Sequence, residues 1–193
     1  MRSSTEVTND RMQALLVAHG EDRDPARLAD KINRAMQWAL ERARERKDVQ
    51  ADSRGYRIVP VYQKQVQQGW RGSQGLQLQS GDFQELAALV GELQTRLQVQ
   101  SIDFAVSPDR RHEVENRLIG QVLGAFGRRA DIISKQLGAS GYRIVELDIN
   151  TGNRPPRPVP MMATRESAAS PALAAGTSTL AVTADGVIEL TGR

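Results

Sequence analysis

His19 and His112 are the only two histidines in the chain, and it contains no cysteine. Those two facts bound the chemistry. A zinc site built from several imidazoles or thiolates is impossible, and an all-oxygen metal site would need a carboxylate cluster that the sequence does not present. The stretch His112-Glu113-Val114-Glu115-Asn116 has the first half of a zinc-protease helix pattern. That pattern needs a second histidine one turn on to place a ligand on the same face, and Asn116 stands there instead. His19 closes a strand-like run and is expected at the surface. Gly72-Ser73-Gln74-Gly75 sets a serine among glycines as a nucleophile elbow does, but Arg71 takes the place of the first glycine and no helix follows directly. A hairpin strand is the expectation, and a hydrolase would require Ser73 hydrogen-bonded to one of the histidines. No phosphate loop or dinucleotide fingerprint is present. Catalytic, cofactor-binding and metal-binding residues are therefore all expected to be none.

Charge excludes other classes. Arg42, Arg44, Arg46 and Lys47 are interleaved with Glu41 and Glu45, which predicts pairing along a helix face and not a phosphate-binding surface. Arg110-Arg111 and Arg128-Arg129 take the same solvated reading. With 26 Lys+Arg against 23 Asp+Glu, the net charge of +3 is too small and too dispersed for a nucleic-acid partner. Gly120 and Gly124 have the spacing of paired membrane helices, yet Arg117, Arg128 and Arg129 flank them on an amphipathic segment. No apolar run approaches the roughly 20 residues that span a bilayer, so no integral membrane segment is expected. Aromatic residues are only 4% of the chain. Tyr56, Tyr62 and Trp70 nevertheless fall on one predicted hairpin and form the candidate interface or ligand patch, with packing into the core or along a sheet edge as the plainer alternative.

The elements that must position these residues follow from burial periodicity. A chain of 193 residues can bury a real core without staples. Glu6 to His19 reads as a first strand with one buried face. Asp24 then caps a helix with Pro25 at its first position, and Leu28, Ile32, Ala35, Met36, Ala39, Leu40 and Ala43 form its apolar stripe. Tyr56 to Tyr62 is strand-like with Pro60 favouring an edge or bulge, Gln68-Gly69 reads as a hairpin turn, and Leu76 and Leu78 mark the returning strand. Asp82 and Glu85 suggest a capping box before a second helix carrying Phe83, Leu86, Leu89, Val90, Leu93 and Leu97. Ile102 to Val106 is a fourth strand, and Ser107-Pro108 opens a long third helix whose stripe runs from Val114 to Ile133 and Leu137 before stopping at Gly138. Gly120, Gly124 and Gly127 inside it each cost about 1 kcal/mol relative to alanine, which predicts close packing against a sheet or partner helix. A fifth strand, Tyr142 to Asn150, alternates Val145, Leu147 and Ile149 against Glu146 and Asp148. Thr151 to Ala175 is Pro-, Ala- and Ser-rich without periodicity, and a final strand, Thr177 to Leu190, carries an Asp185-Gly186 turn or bulge.

This order of elements resembles the SIMPL-domain family, which includes periplasmic immunogenic and stress-associated proteins of Gram-negative bacteria. Gly55-Tyr56-Arg57-Ile58-Val59-Pro60-Val61-Tyr62 with Gly69-Trp70-Arg71 is similar to the family's tyrosine-bearing strand pair. Ile102 to Ser107 is similar to its central strand, and Ala174-Ala175-Gly176 through Val187-Ile188-Glu189-Leu190 to its closing strand. The resemblance implies a non-enzymatic periplasmic or envelope protein that forms homo-oligomers, with a role in stress tolerance. Met1-Arg2-Ser3-Ser4 is not a signal peptide, so an export segment is expected to have been trimmed. The alternative is a small-molecule or peptide-binding module built on the aromatic hairpin.

The fold expectation is α+β, with three main helices and antiparallel or mixed sheets in two αβ sub-modules. One comprises residues 1–80 with 174–193, the other 81–150, and 151–173 is a loop joining them. A ferredoxin-like arrangement of the first 107 residues is the rival.

Overall fold

The computed structural model describes residues 1–152 and 175–192. It is α+β, with three helices and two antiparallel sheets among those residues. The chain divides into two compact units.

The first unit is Asp10–Ala105. It contains β2 (Arg11–Asp22), α1 (Pro25–Arg44), β3 (Gln50–Gln63), β4 (Val66–Ser80), α2 (Phe83–Leu93) and β5 (Gln98–Ala105). The sheet order is β3-β4-β2-β5, all antiparallel. A βαββαβ chain in that order is the ferredoxin-like arrangement, so the rival expectation describes this unit. Asp24 caps α1 by accepting from the Ala26 amide at 2.8 Å, with Pro25 inside the first turn. Leu28, Ile32, Met36, Ala39 and Ala43 of the stripe are buried, whereas Ala35 and Leu40 are only partly covered. They meet Leu76 and Leu78 of β4, the even-numbered side chains Met12 to Ala18 of β2, and Leu86, Leu89 and Leu93 of α2 in one core. Pro60 lies in β3, an edge strand, as its missing N–H requires. Asp82 caps α2 through the Glu85 amide at 3.0 Å, but Glu85 pairs with Arg46 instead of reaching back, and the Asp82 amide donates to Ser80.

The second unit draws on both ends of the chain: Met1–Asn9, the stretch from Val106, and the stretch from Gly176. It holds β1 (Arg2–Thr8), α3 (Pro108–Gln136), β6 (Gly141–Asn150) and β7 (Thr177–Thr191), with sheet order β1-β7-β6. Val114, Leu118 and Val122 of α3 are buried against Val7 of β1 and Leu180, Val182 and Ala184 of β7. A Schellman motif ends α3: Gly138 at φ +70° donates to the Lys135 carbonyl at 3.2 Å and Ala139 to that of Ser134 at 3.0 Å.

Several expectations are corrected. The run Glu6 to His19 is two strands in two sheets. The buried parity changes from Val7 to Met12, and between them Asn9 donates to Gly176 while Asp10 donates to Ala105. The pairing also divides the chain differently from the expected sub-modules, because β7 runs between β1 and β6 and joins no strand that carries the first helix. The hairpin turn is Lys64-Gln65, both at positive φ (49° and 65°), and Gln68 is instead the extra residue of a bulge between Tyr62↔Gln67 and Val61↔Gly69. Ile133 and Leu137 are exposed, and the buried position in that turn belongs to Ser134, whose hydroxyl donates to the Gly141 carbonyl at 2.9 Å. Asp185-Gly186 is continuous strand; the irregularity lies across from it, where the β6 register shifts by one residue at Val145. The expected loop at 151–173 lies outside the described residues from 153 onward.

The helix glycines are corrected too. A methyl group at Gly120 would meet nothing within 4 Å, and one at Gly124 only the Arg128 side chain at 3.4 Å. Gly186 is the contrast, since its Cβ would lie 2.5 Å from the Glu146 carbonyl oxygen and 3.1 Å from the Phe126 ring. Chemical denaturation should therefore show Gly120→Ala stabilising the chain by up to about 1 kcal/mol. Gly186→Ala should destabilise it by about 1–3 kcal/mol, because a backbone carbonyl cannot step aside. A destabilised Gly120→Ala chain would contradict the open surroundings of that glycine.

Candidate functional site

The sequence candidates sit on the β3–β4 hairpin. Beyond Gly55 it is largely solvent-exposed, with Tyr56 50% and Tyr62 61% accessible. Trp70 is half-buried, stands opposite Pro60 and packs against the core of its own unit. Tyr62 lies opposite Gln67, and Tyr56 falls where the register shifts between Arg54 and Arg57. The ring pair among the described residues is Phe83–Phe104, edge to face at 5.3 Å, and it includes none of the three. Trp70, Val61, Gln68 and Gly69 line a hollow of about 210 Å³ with Glu21, Asp22 and Arg23. That is smaller than the ~300 Å³ at which small-molecule sites begin.

Asp22, beside that hollow, is a residue that sequence reasoning passed over. Its carboxylate accepts from the Asp24 amide at 3.0 Å, Arg27 Nη2 at 3.1 Å and Lys31 Nζ at 2.9 Å. The backbone hydrogen bond first, then the Lys31 contact, lower its pKa to about 2. The carboxylate thus fastens the end of β2 to the first turns of α1. The signal in the sequence was an aspartate two residues before a helix cap, with cations five and nine residues on.

The reactive side chains do not converge. His19 and Ser73 are register partners on neighbouring strands β2 and β4. No hydrogen bond joins them, and His19 is exposed. His112 is exposed in the first turns of α3. Among the described residues no group of three or more His, Asp or Glu could hold a metal ion. Two arginines at the end of α1 and just beyond it are held by acids: Arg42 pairs with Glu45 at 3.0 Å and Glu92 at 3.2 Å, and Arg46 with Glu85 at 3.0 Å. Another hollow, about 630 Å³, is open and lined by Asp48, Gly81, Asp82, Phe83 and Gln84.

Further exposed apolar side chains lie in the unit that holds β6. Ile144, Val145, Leu147 and Ile149 of that strand are 37–59% accessible, and Val187 and Leu190 of β7 join them. None of these β6 side chains enters the core of the unit. Since β6 is an edge strand, its outer row of N–H and C=O groups also has no strand beside it among the described residues.

A family model described as SIMPL, a protein of unknown function (DUF541), matches residues 2–188, nearly the whole chain. The chain belongs to the SIMPL family. No curated protein matches the sequence. Among solved structures, a Burkholderia cenocepacia protein described as a candidate amidohydrolase/peptidase is 15% identical. The likeness covers 50% of this chain and 28% of that one, with a TM-score of 0.31. No helix among the described residues of this SIMPL chain is long and apolar enough to cross a membrane.

The Asp22 bonds give a pH signature. Its pKa falls from 3.8 unfolded to about 2 folded, so its stabilisation is complete above pH 3.8 and is lost as pH drops toward 2. Thermal unfolding should find Asp22→Asn less stable than the parent by a constant margin from about pH 5 to 8, with the margin closing at more acid pH. A margin independent of pH down to about 2 would contradict this role.

Proposed function

We propose that this SIMPL chain is a non-catalytic protein of the bacterial periplasm or envelope whose working form is an assembly of its own copies, with a role in stress tolerance. The observation that carries the reading is the apolar, unpaired β6 edge. Exposed apolar side chains on an open strand end are costly in water and are relieved when another surface covers them. The candidate reactive groups support the non-catalytic part, because His19, His112 and Ser73 share no hydrogen bond and no enclosed cleft. The compartment and the stress role rest on family membership, whose other members are usually exported.

Light scattering coupled to size exclusion tests the assembly. The expected mass is a multiple of 21.3 kDa that grows with loading concentration until one stoichiometry dominates. A strict monomer at millimolar concentration would overturn the reading.

A further inference from the structure

The β6 edge has a sequence that matches itself when reversed. Running antiparallel to a second copy of β6, with a two-fold axis between Val145 and Glu146, Arg143 falls opposite Asp148 and Ile144 opposite Leu147. Tyr142 then meets Ile149. Each pair occurs twice by symmetry.

The faces agree with this register. Ala184, Gly186 and Ile188 of β7 point toward α3, since Ala184 is in the core, Gly186 lies against the Phe126 ring, and Ile188 has the same parity and lines a hollow with Phe126 and Ile133 of α3. Their partners Ile149, Leu147 and Ile144 therefore share that face, and Tyr142 does so too, donating to the Gly127 carbonyl at 3.4 Å. Arg143 and Asp148 lie on the opposite face, opposite Glu189 and Asp185 respectively. In the antiparallel pair, apolar residues thus meet apolar residues on one face, and on the other Arg143 meets Asp148, with Val145 opposite Glu146 beside the axis.

The backbone agrees as well. In a regular strand, alternate residues turn their N–H and C=O to one neighbour, so residues of opposite parity such as 143 and 148 could not both face a new partner. The one-residue shift at Val145 reverses the parity along β6, and in this register outward-turned groups then meet outward-turned groups. Without the shift, the pairing that suits the side chains would be the one that the backbone forbids.

Charge adds the reason for a second copy over any other apolar partner. Asp148 stands across from Asp185, which pairs with the N-terminal amine at 3.7 Å, whereas no cation among the described residues pairs with Asp148. Arg143 is held by Glu189 from within its own sheet, and a guanidinium has donors left to reach a second carboxylate. We propose that two copies of this chain pair through β6 in this register, making one continuous six-stranded sheet, β1-β7-β6-β6-β7-β1. This interface rests on the self-assembly reading and specifies it.

Charge reversal tests it. Arg143→Asp and Asp148→Arg should each place like charges opposite one another twice and weaken association at least about tenfold by analytical ultracentrifugation. An equimolar mixture of the two should restore association. The introduced aspartate of one copy then faces the introduced arginine of the other, and the native Asp148 of the first faces the native Arg143 of the second. Ile144→Lys, at a half-exposed site, provides a further variant expected to dissociate while keeping the parent circular dichroism and cooperative melt. A parent chain that is monomeric would defeat the assembly reading itself. A parent that assembles, with variants that assemble equally well or a mixture that stays apart, would leave self-assembly standing and overturn β6 as its interface.

Discussion

An α-helix with its side chains is about 10 Å across, whereas three paired strands about 4.8 Å apart present a face that one helix cannot fully roof. The unit built from the chain ends has α3 alone over β1, β7 and β6. The helix lies mainly on β7, the middle strand, and reaches the inner face of β1 through Val7. β6 lies at the other margin, touched by α3 near its start, where Ser134 donates to the Gly141 carbonyl and Tyr142 to that of Gly127, while Ile144, Leu147 and Ile149 stay outside the core. The Asp10–Ala105 unit does not have this difficulty, because α1 and α2 together cover a four-stranded sheet and the core closes over Leu76, Leu78 and Leu86.

From that shortfall the other features of the unit follow. Ile144, Leu147 and Ile149 point to the helix side of the sheet and are only partly covered, each still 37–49% accessible. Ile133 and Leu137 continue the apolar stripe of α3 past the point where the sheet can receive it. The shift at Val145 brings the Glu146 carbonyl against Gly186, where only a glycine leaves room. A strand that is apolar, marginal and unpaired is what soluble proteins normally blunt with charges or proline. Here the charges are present, but in a self-complementary order.

Much of the fold was legible because local chemistry wrote it. Asp24-Pro25, Asp82 and Ser107-Pro108 each mark a helix start through the orphan amides they satisfy, and the stripe of α1 is buried along its centre line, with Ala35 and Leu40 partly covered at its margins. What was not legible depended on partners distant in sequence. The break at Asn9-Asp10 shows only as a change of parity, and its cause, bonds to Gly176 and Ala105, lies far along the chain. Lys64-Gln65 gives no glycine or asparagine to announce a left-handed turn, whereas Gln68-Gly69 does and is a bulge. The glycines of α3 suggested tight packing that the structure does not contain. For the candidate site, the aromatic hairpin was visible, but the split between exposed Tyr56 and Tyr62 and half-buried Trp70 was not. The β6 edge was read only as an alternating strand, since alternation shows which side chains share a face and cannot show whether a helix is wide enough to cover it.

The pairing of β6 with itself is the claim on which the functional account turns, and the chain's lack of cysteine allows it to be tested by cross-linking. Chains carrying Ile144→Cys and Leu147→Cys should form a disulfide-linked mixed dimer when combined under mild oxidation, because directly opposed strand residues lie within disulfide reach. Either variant alone should cross-link poorly, as its own copies would sit three residues apart along the strand, roughly 10 Å. Equal cross-linking of each variant alone and of the mixture, or none in the mixture, would contradict the account.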